Sequence, residues 1–265
     1  MKRKPKLGQN FLVDDRARHA IADALGDVSQ RTVIEIGPGH GAITDILAPR
    51  CGRLIALELD RDLAPALSLR FKDQPQVQVI EIDVLQSDFS SLIPKGETAD
   101  VIGNLPYYIT SDILLKLFAA GSAGLISRAV VMMQREVADR VSASPGVRDY
   151  GLLSATAHMN AQVERLFDLP PSAFSPPPEV HSTVLRLHFA ARFPELGVDP
   201  EGFDRFLKQS FAQKRKTLEN NLRAAGYSSA NLAKLWPQSI PHQARAESLR
   251  LEHMAELYRT LSASV

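Results

Sequence analysis

The chain has 265 residues, of which 45% are hydrophobic, enough for one substantial core and a small second domain. Its single cysteine, Cys51, excludes an intramolecular disulfide and a cysteine zinc cluster, and with no apolar run long enough for a signal peptide or a membrane span we expect a cytoplasmic protein. The net charge of +1 does not by itself indicate a partner, and the histidines show no spacing suited to a metal, so we expect none.

Five short apolar runs alternate with amphipathic helical patterns in the first half of the chain. This alternation predicts an α/β fold, in which helices cover both faces of a parallel sheet. The predicted parallel strands are Thr32–Gly37, Arg53–Leu59, Val77–Ile82, Asp100–Asn104 and Arg128–Gln134.

Two further apolar runs, Val163–Leu169 and Thr183–Phe189, are separated by a proline-rich segment without a helical pattern. They predict an antiparallel hairpin that completes a Rossmann-like sheet of seven strands, a plan typical of methyltransferases rather than dehydrogenases. After Ala191 only helical patterns follow. We therefore predict a methyltransferase domain over residues 1–191 and a small all-helical domain over residues 192–265.

The first predicted strand ends in the glycine-rich sequence EIGPGHGAIT. Gly37 and Gly39 permit a tight turn, and the following helix points free amide groups into that space, so a nucleoside or a phosphate is expected there. Gly37, Gly39 and Ala42 also satisfy the dinucleotide fingerprint, with Glu58 placed to bind a ribose. The motif alone leaves a dinucleotide site and a plain turn open.

Asp83, at the end of the third predicted strand, favours a different cofactor. Its carboxylate can accept a hydrogen bond from the amino group of an adenine, while Glu58 binds the ribose one strand away. Carboxylates at successive strand ends fit an adenosine without a pyrophosphate, which predicts S-adenosylmethionine. The alternative for Asp83 is a solvated side chain at a strand end.

The fourth predicted strand ends in Asn104, Leu105, Pro106 and two tyrosines. The Asn104 side-chain oxygen and the Leu105 carbonyl offer two acceptors to one amino group, and Tyr107 offers a ring for a planar base. Accepting both N–H bonds favours a pyramidal, nucleophilic nitrogen, and Pro106 stiffens the loop. For Tyr108 we predict a packed aromatic side chain.

The sequence NLPY resembles the target-amine motif of adenine-N6 methyltransferases. Together with QNFL, EIGPGHG, ALELD, EIDVL and FSPPPEVHS it resembles the ribosomal RNA adenine dimethyltransferase family over nearly the whole chain. The further run FAQKRKTLENNL resembles the KsgA-type branch of that family, which acts on the small subunit.

The resemblance implies transfer of methyl groups from S-adenosylmethionine to two adjacent adenines in the 3′-terminal hairpin loop of small-subunit ribosomal RNA, giving N6,N6-dimethyladenine. It implies cofactor contacts at Gln9, Asn10, Leu12, Gly37, Gly39, Glu58, Asp83, Val84 and Asn104. Asn104, Leu105 and Tyr107 would bind the target adenine, with Phe174 closing over it. Two alternatives are an assembly factor with vestigial catalysis and a glutamine methyltransferase using Asn-Pro-Pro-Tyr, which Leu105 disfavours.

The C-terminal quarter of the chain carries more Lys and Arg than Asp and Glu. If residues 207–222 form one helix, its apolar stripe docks inward and its cations face outward toward RNA phosphates. The predicted RNA-binding residues are Arg205, Lys208, Lys214, Arg215, Lys216 and Arg223, and the N-terminal cations Lys2, Arg3, Lys4 and Lys6 are a second candidate. The expected partner is small-subunit ribosomal RNA or an assembly intermediate, bound by a monomer.

Overall fold

The computed structural model of the protein describes residues 9–263, so the cations predicted at Lys2, Arg3, Lys4 and Lys6 lie outside the described residues. The chain forms two compact units. The first unit runs to Ala138 and resumes over Ala161–Ala190. The second unit contains Asp139–Asn160 and the chain from Ala191 onward.

A mixed sheet of seven strands forms the first unit, in the spatial order β4-β3-β2-β5-β6-β9-β7, and this confirms the predicted fold class. The strands are β1 Phe11–Leu12, β2 Thr32–Ile36, β3 Arg53–Glu58, β4 Val77–Glu81, β5 Ala99–Asn104, β6 Ile126–Gln134, β7 Ala161–Leu169, β8 Phe174–Ser175 and β9 Ser182–Phe189. Strands β2 to β6 run parallel, and β9 is antiparallel to both β6 and β7. Strands β1 and β8 form a separate antiparallel pair.

The central strands end at a common level because they are apolar, buried on both faces and paired without offset. Ile36 at the end of β2 pairs with Leu57 of β3 and with Gly103 of β5. The residues that follow this level are Gly37, Glu58 and Asn104. The register therefore brings the chemically distinctive residues of three strands to one edge of the sheet.

Short helices connect the strands of the first unit. They are α1 Asp15–Asp23, α2 Thr44–Leu47, α3 Leu63–Arg70, α4 Phe89–Leu92 and α5 Thr110–Ser122, with 3-10 turns at Val84–Gln86 and Pro171–Ala173. Helix α1 begins after Asp14, whose side chain accepts a hydrogen bond from the Ala17 amide. Helix α6, Arg135–Ser142, begins in the first unit and ends in the second.

The second unit is helical in the part of the chain that the structure describes. Its helices are α7 Leu152–Asn160, α8 Phe193–Leu196, α9 Pro200–Ser210, α10 Leu218–Ala224, α11 Ser229–Leu235 and α12 Leu251–Ser262, with a 3-10 turn at Ala246–Ser248. Phe203, Phe206, Leu207 and Leu218 are fully or almost fully buried in a separate apolar core. Residues 139–160 also belong to this compact unit. The predicted boundary after residue 191 concerns domains that fold separately, and it stays a prediction.

Residues 207–222 do not form one helix, so the condition for a single outward-facing stripe of cations is not met. Helix α9 ends at Ser210, and α10 begins only at Leu218, after Thr217 caps it by accepting a hydrogen bond from the Asn220 amide. The side-chain amide of Asn221 donates to the carbonyls of Ser210 and Gln213 at 2.8 and 3.2 Å, which fixes the intervening loop. The local capping chemistry thus interrupts an apolar spacing that fits one helix.

Within residues 9–263 no helix is both long enough and apolar enough to cross a membrane. The predicted cytoplasmic location and monomeric state stay predictions.

Candidate active site

A cavity of about 590 Å³ opens at the carboxyl ends of the parallel strands, within the range expected for small-molecule sites. The ends of β2, β3 and β5, the turn after β4 and the segment 9–13 all contribute to its wall. All the residues predicted to bind the cofactor line it, namely Gln9, Asn10, Leu12, Gly37, Gly39, Glu58, Asp83, Val84 and Asn104. The structure thus brings these residues together, and their contacts with a cofactor stay predictions.

The glycine loop after β2 depends on a backbone conformation that favours glycine. Gly37 and Gly39 have φ angles of 65° and 59°. A Cβ atom on Gly39 would lie 3.0 Å from the Phe11 ring, so that ring and the loop are packed tightly against each other. The ring of His40 lies against the same Phe11, with ring centroids 4.2 Å apart. Larger side chains at residue 39 would therefore disturb this wall of the cavity.

Glu58 is held rigidly at the end of β3 although it is only 3% exposed. Its Oε2 accepts a hydrogen bond from the Gly39 amide and its Oε1 accepts one from the Asp60 amide, both at 2.9 Å. Two backbone donors thus orient the carboxylate and offset part of the cost of burying it. Each oxygen keeps a further lone pair with which a ribose hydroxyl could bond.

Asp83 follows β4 and caps the 3-10 turn that begins at Val84. Its Oδ1 accepts a hydrogen bond from the Leu85 amide at 2.9 Å. Its Oδ2 accepts no hydrogen bond from the described residues. One carboxylate oxygen therefore fixes the side chain, and the other is available for a donor such as an adenine amino group.

The side chain of Asn104 has an unsatisfied acceptor. Its Nδ2 donates to the Asn10 carbonyl at 3.1 Å, and because a carbonyl only accepts, this contact fixes which end of the amide is which. The other end, Oδ1, is buried and has no partner among the described residues. An unmet buried acceptor costs about 1–3 kcal/mol, so a ligand that donates an N–H here would be favoured.

The loop after Asn104 points two tyrosines into different environments. Tyr107 is half-buried, its hydroxyl shares a 2.9 Å hydrogen bond with the Ser182 hydroxyl, and burial raises its pKa. Leu105 is 1% exposed, and both Leu105 and Tyr107 line the cavity, whereas their binding of an adenine stays a prediction. Tyr108 is 61% exposed, so the prediction of a packed aromatic is wrong. The loop turns outward at Tyr108 before Thr110 begins the buried face of α5.

Phe174 lies in the apolar core, next to the wall of the cavity in the β1–β8 pair. It pairs with Leu12 between β8 and β1, is 3% exposed, and belongs to the apolar core of the first unit. It is not among the residues that line the cavity, although its strand partner is. Among the described residues Phe174 thus packs behind the cavity wall, and its closure over an adenine stays a prediction.

Glu35 lines the cavity and was missed by the sequence analysis. It is 2% exposed, and burial raises its pKa to about 7, an effect that the nearby carboxylates of Asp45 and Glu58 reinforce. The Thr44 hydroxyl donates a 2.7 Å hydrogen bond to its Oε2. The signal was present in the sequence, because a glutamate stands inside the otherwise apolar run TVIEI.

The predicted RNA-binding residues are all exposed, but their charges are not equally free. Arg205 pairs with Glu201 at 3.1 Å, and Arg223 pairs closely with Glu219. Lys208 lies near the carboxylate of Asp204. Burial raises the pKa of Asp204, and the charge of Lys208 lowers it by a smaller amount.

The remaining cations, Lys214, Arg215 and Lys216, lie in the loop between α9 and α10. The Lys214 ammonium donates to the Arg148 carbonyl at 3.0 Å. No acidic partner within residues 9–263 pairs with any of the three. The cations of this loop are therefore free to bind a ligand, whereas the arginines of α9 and α10 are paired with glutamates.

Comparison with known proteins assigns a family to this arrangement. A family model described as ribosomal RNA adenine dimethylase matches residues 1–263. A protein of Acidobacterium capsulatum named Ribosomal RNA small subunit methyltransferase A is 59% identical over 261 residues, covering 98% of this chain and 92% of that protein. A protein of the same name from Koribacter versatilis is 51% identical, covering 98% and 94%.

Two solved structures share the fold. A dimethyladenosine transferase from Plasmodium falciparum superposes with a TM-score of 0.76 at 24% identity, covering 93% of this chain and 95% of that one. The 23S rRNA methyltransferase ErmE superposes with a TM-score of 0.69 at 24% identity, covering 96% and 100%. At these identities the two structures support the fold alone.

Proposed function

The chain belongs to the ribosomal RNA adenine dimethylase family, and on this premise we propose that it transfers methyl groups from S-adenosylmethionine to N6 of adenine in small-subunit ribosomal RNA. The observation that carries the proposal is the buried Oδ1 of Asn104, which has no partner within residues 9–263, at the edge of a cavity that also contains two oriented carboxylates. This combination fits a nucleoside and a separate amine in one site.

The cofactor would be held by its adenosine part. Glu58, fixed by two backbone amides, would accept hydrogen bonds from the ribose hydroxyls, and the free oxygen of Asp83 would accept one from the adenine amino group. The open glycine loop at Gly37 and Gly39 leaves room for close approach of the ligand. When bound, S-adenosylmethionine supplies a methyl group already activated on a sulfonium centre.

The protein would prepare the target amine for that transfer. Asn104 Oδ1 and the Leu105 carbonyl would accept the two N–H bonds of N6, which aligns its lone pair and disperses the positive charge that develops on nitrogen. Tyr107 would stack on the base, and its bond to Ser182 would hold the ring in place. Each transfer would leave S-adenosylhomocysteine and release one amine proton to solvent, so after the first a single N–H remains. One acceptor would then still orient the amine for a second transfer, from a second S-adenosylmethionine.

Recognition of the RNA would require contacts away from the reacting base. The base must leave its stack to reach Asn104, and one flipped adenine does not distinguish its hairpin from others. We assign this positioning to the loop cations Lys214, Arg215 and Lys216, which lack acidic partners among the described residues. Two adjacent adenines in the 3′-terminal hairpin loop are the proposed target, in mature or assembling small subunits.

A second candidate, an assembly factor that binds the same RNA without catalysis, is less well supported. Binding of RNA without catalysis does not require the Oδ1 of Asn104 to lack a partner among the described residues, beside the two oriented carboxylates of Glu58 and Asp83. The discriminating experiment is mass spectrometry of small-subunit RNA from cells that contain the wild-type protein, the Asn104→Ala variant or neither. We expect dimethyladenine at two adjacent positions with the wild type alone. Equal dimethylation in all three strains would overturn the proposal.

A further inference from the structure

Exposed apolar side chains are concentrated at the opening of the cavity. Three large hydrophobic side chains that line it are strongly exposed, Val13 at 45%, Leu59 at 41% and Tyr108 at 61%. Tyr108 is the most exposed of these and the only aromatic one. Exposed apolar groups that border a cavity are typical of a binding surface.

The Tyr108 ring is free, whereas the neighbouring Tyr107 ring is fixed. Tyr107 bonds to Ser182 and is half-buried. Tyr108 makes no hydrogen bond and no ring contact with any residue in 9–263. Two aromatic side chains on consecutive residues thus border one cavity, one seated in its wall and the other open to a ligand.

The backbone beneath Tyr108 is well anchored. The Pro106 carbonyl accepts hydrogen bonds from the Ile109 amide at 3.2 Å and from the Thr110 hydroxyl at 2.9 Å. These contacts close the loop on both sides of Tyr108 and start α5. A ring on such a loop has only its own two side-chain torsions to fix when it binds, so little conformational entropy is lost.

Base flipping creates a need that this ring can meet. When the target adenine leaves its stack, the base next to it loses one stacking partner, and a stacked aromatic side chain restores that contact. We propose that Tyr108 stacks on the base adjacent to the target adenine and so positions the RNA at the opening of the cavity. This inference rests on the proposed function, and because every base has a π-face it concerns positioning and not sequence choice.

The test compares protein variants with RNA variants in the full-length protein. Steady-state methylation of a hairpin RNA is measured for wild type, Tyr108→Ala and Tyr108→Phe, with Leu69→Ala as the control that removes another exposed apolar side chain, one outside the cavity wall. We expect Tyr108→Ala to raise KM for the RNA about tenfold with kcat within about twofold. Tyr108→Phe, which keeps the ring, and Leu69→Ala should match the wild type.

The same series is then run on RNAs in which the nucleotide on the 5′ or the 3′ side of the target is abasic. One of these RNAs should raise the wild-type KM as much as Tyr108→Ala does, and on that RNA the variant should add no further loss. An unchanged KM for Tyr108→Ala, or an equal penalty on the intact RNA and both abasic RNAs, would overturn the inference. Failure of the wild type to methylate both the intact hairpin and small subunits from cells that lack the protein would instead refute the proposed function.

Discussion

Replacement of Asn104 separates the two roles of its side chain, since one end of the amide is bonded within the protein and the other is not. Asn104→Ala removes together the donor to the Asn10 carbonyl and the Oδ1 that no residue in the described part of the chain contacts with a hydrogen bond. Asn104→Asp, of nearly the same shape, loses the donor and keeps an acceptor. Exposed Asn220 on α10 provides a matched control, Asn220→Ala.

The expected magnitudes differ for folding and for catalysis. Losing the 3.1 Å bond to Asn10 should lower the free energy of unfolding by about 1 kcal/mol, since the net value of a hydrogen bond is about 0.5–1.5 kcal/mol. Removing the buried Oδ1, which has no partner among the described residues, should offset this loss, so the net change in stability of Asn104→Ala should be small. Losing a preorganised acceptor at a centre where charge develops costs about 10²–10³ in kcat. Catalysis should therefore suffer far more than stability in Asn104→Ala.

The assay is single-turnover methylation of hairpin RNA at saturating cofactor and RNA, accompanied by thermal unfolding of each variant. We expect Asn104→Asp to keep substantially more activity than Asn104→Ala, because an acceptor remains. Equal losses in the two variants would mean that the bond to Asn10, not the free oxygen, is what matters. A folded Asn104→Ala protein with a methyl-transfer rate within about tenfold of the wild type would refute the role in aligning the amine.

Three further predictions concern the cofactor, the RNA and stability. Glu58→Ala should weaken S-adenosylmethionine binding in calorimetry, because hydrogen bonds to a charged group contribute about 1.5–3 kcal/mol, and an unchanged Kd contradicts the ribose assignment. Replacing Lys214, Arg215 and Lys216 together with Ala should flatten the salt dependence of RNA binding by up to about three phosphate contacts. Replacing the ion-paired arginines of α9 and α10 should change the salt dependence less. Coincident slopes for the loop variant and the wild type would refute the loop assignment. The pKa of Glu35 is about 7 in the folded protein and 4.5 in the unfolded chain. Between these pH values the folded protein binds the proton more tightly, so the stability of the wild type should fall as the pH rises from 4.5 to about 7. Glu35→Gln should therefore be more stable than wild type at pH 8 by up to about 3 kcal/mol in denaturant unfolding, with no gain at pH 4, and equal curves at both pH values would contradict the assigned pKa.

The strands and their shared edge could be predicted because each is an apolar run too short for a helix and bounded by turn residues. No knowledge of distant contacts was needed to predict Thr32–Gly37 and Asp100–Asn104 as strands, since their largely apolar composition indicates burial on both faces. Parallel strands of similar length that begin at the same edge also end at the same edge. The placement of Gly37, Glu58 and Asn104 around one cavity followed from that geometry.

The expectations that the structure did not meet depended on contacts that periodicity does not encode. The break between α9 and α10 follows from the Thr217 cap and from the bonds of Asn221 to carbonyls in the preceding loop. Tyr108 faces outward because the loop turns before α5, a backbone property that adjacent tyrosines do not reveal. In each case a local hydrogen bond or turn overrode the pattern of apolar residues.

The orientation of the Asn104 amide shows most clearly what the sequence could not supply. The sequence suggested an acceptor at the strand end, but an amide carries a donor and an acceptor, and either could face a ligand. The Asn10 carbonyl decides between them by accepting from Nδ2, although it lies 94 residues earlier in the chain. The segment around Asn10 is itself placed by the pairing of Leu12 with Phe174. Asn10 and Leu12 were predicted as cofactor contacts, and Phe174 lies outside the cavity. Together they also determine which atom of Asn104 remains to accept a hydrogen bond from the amine.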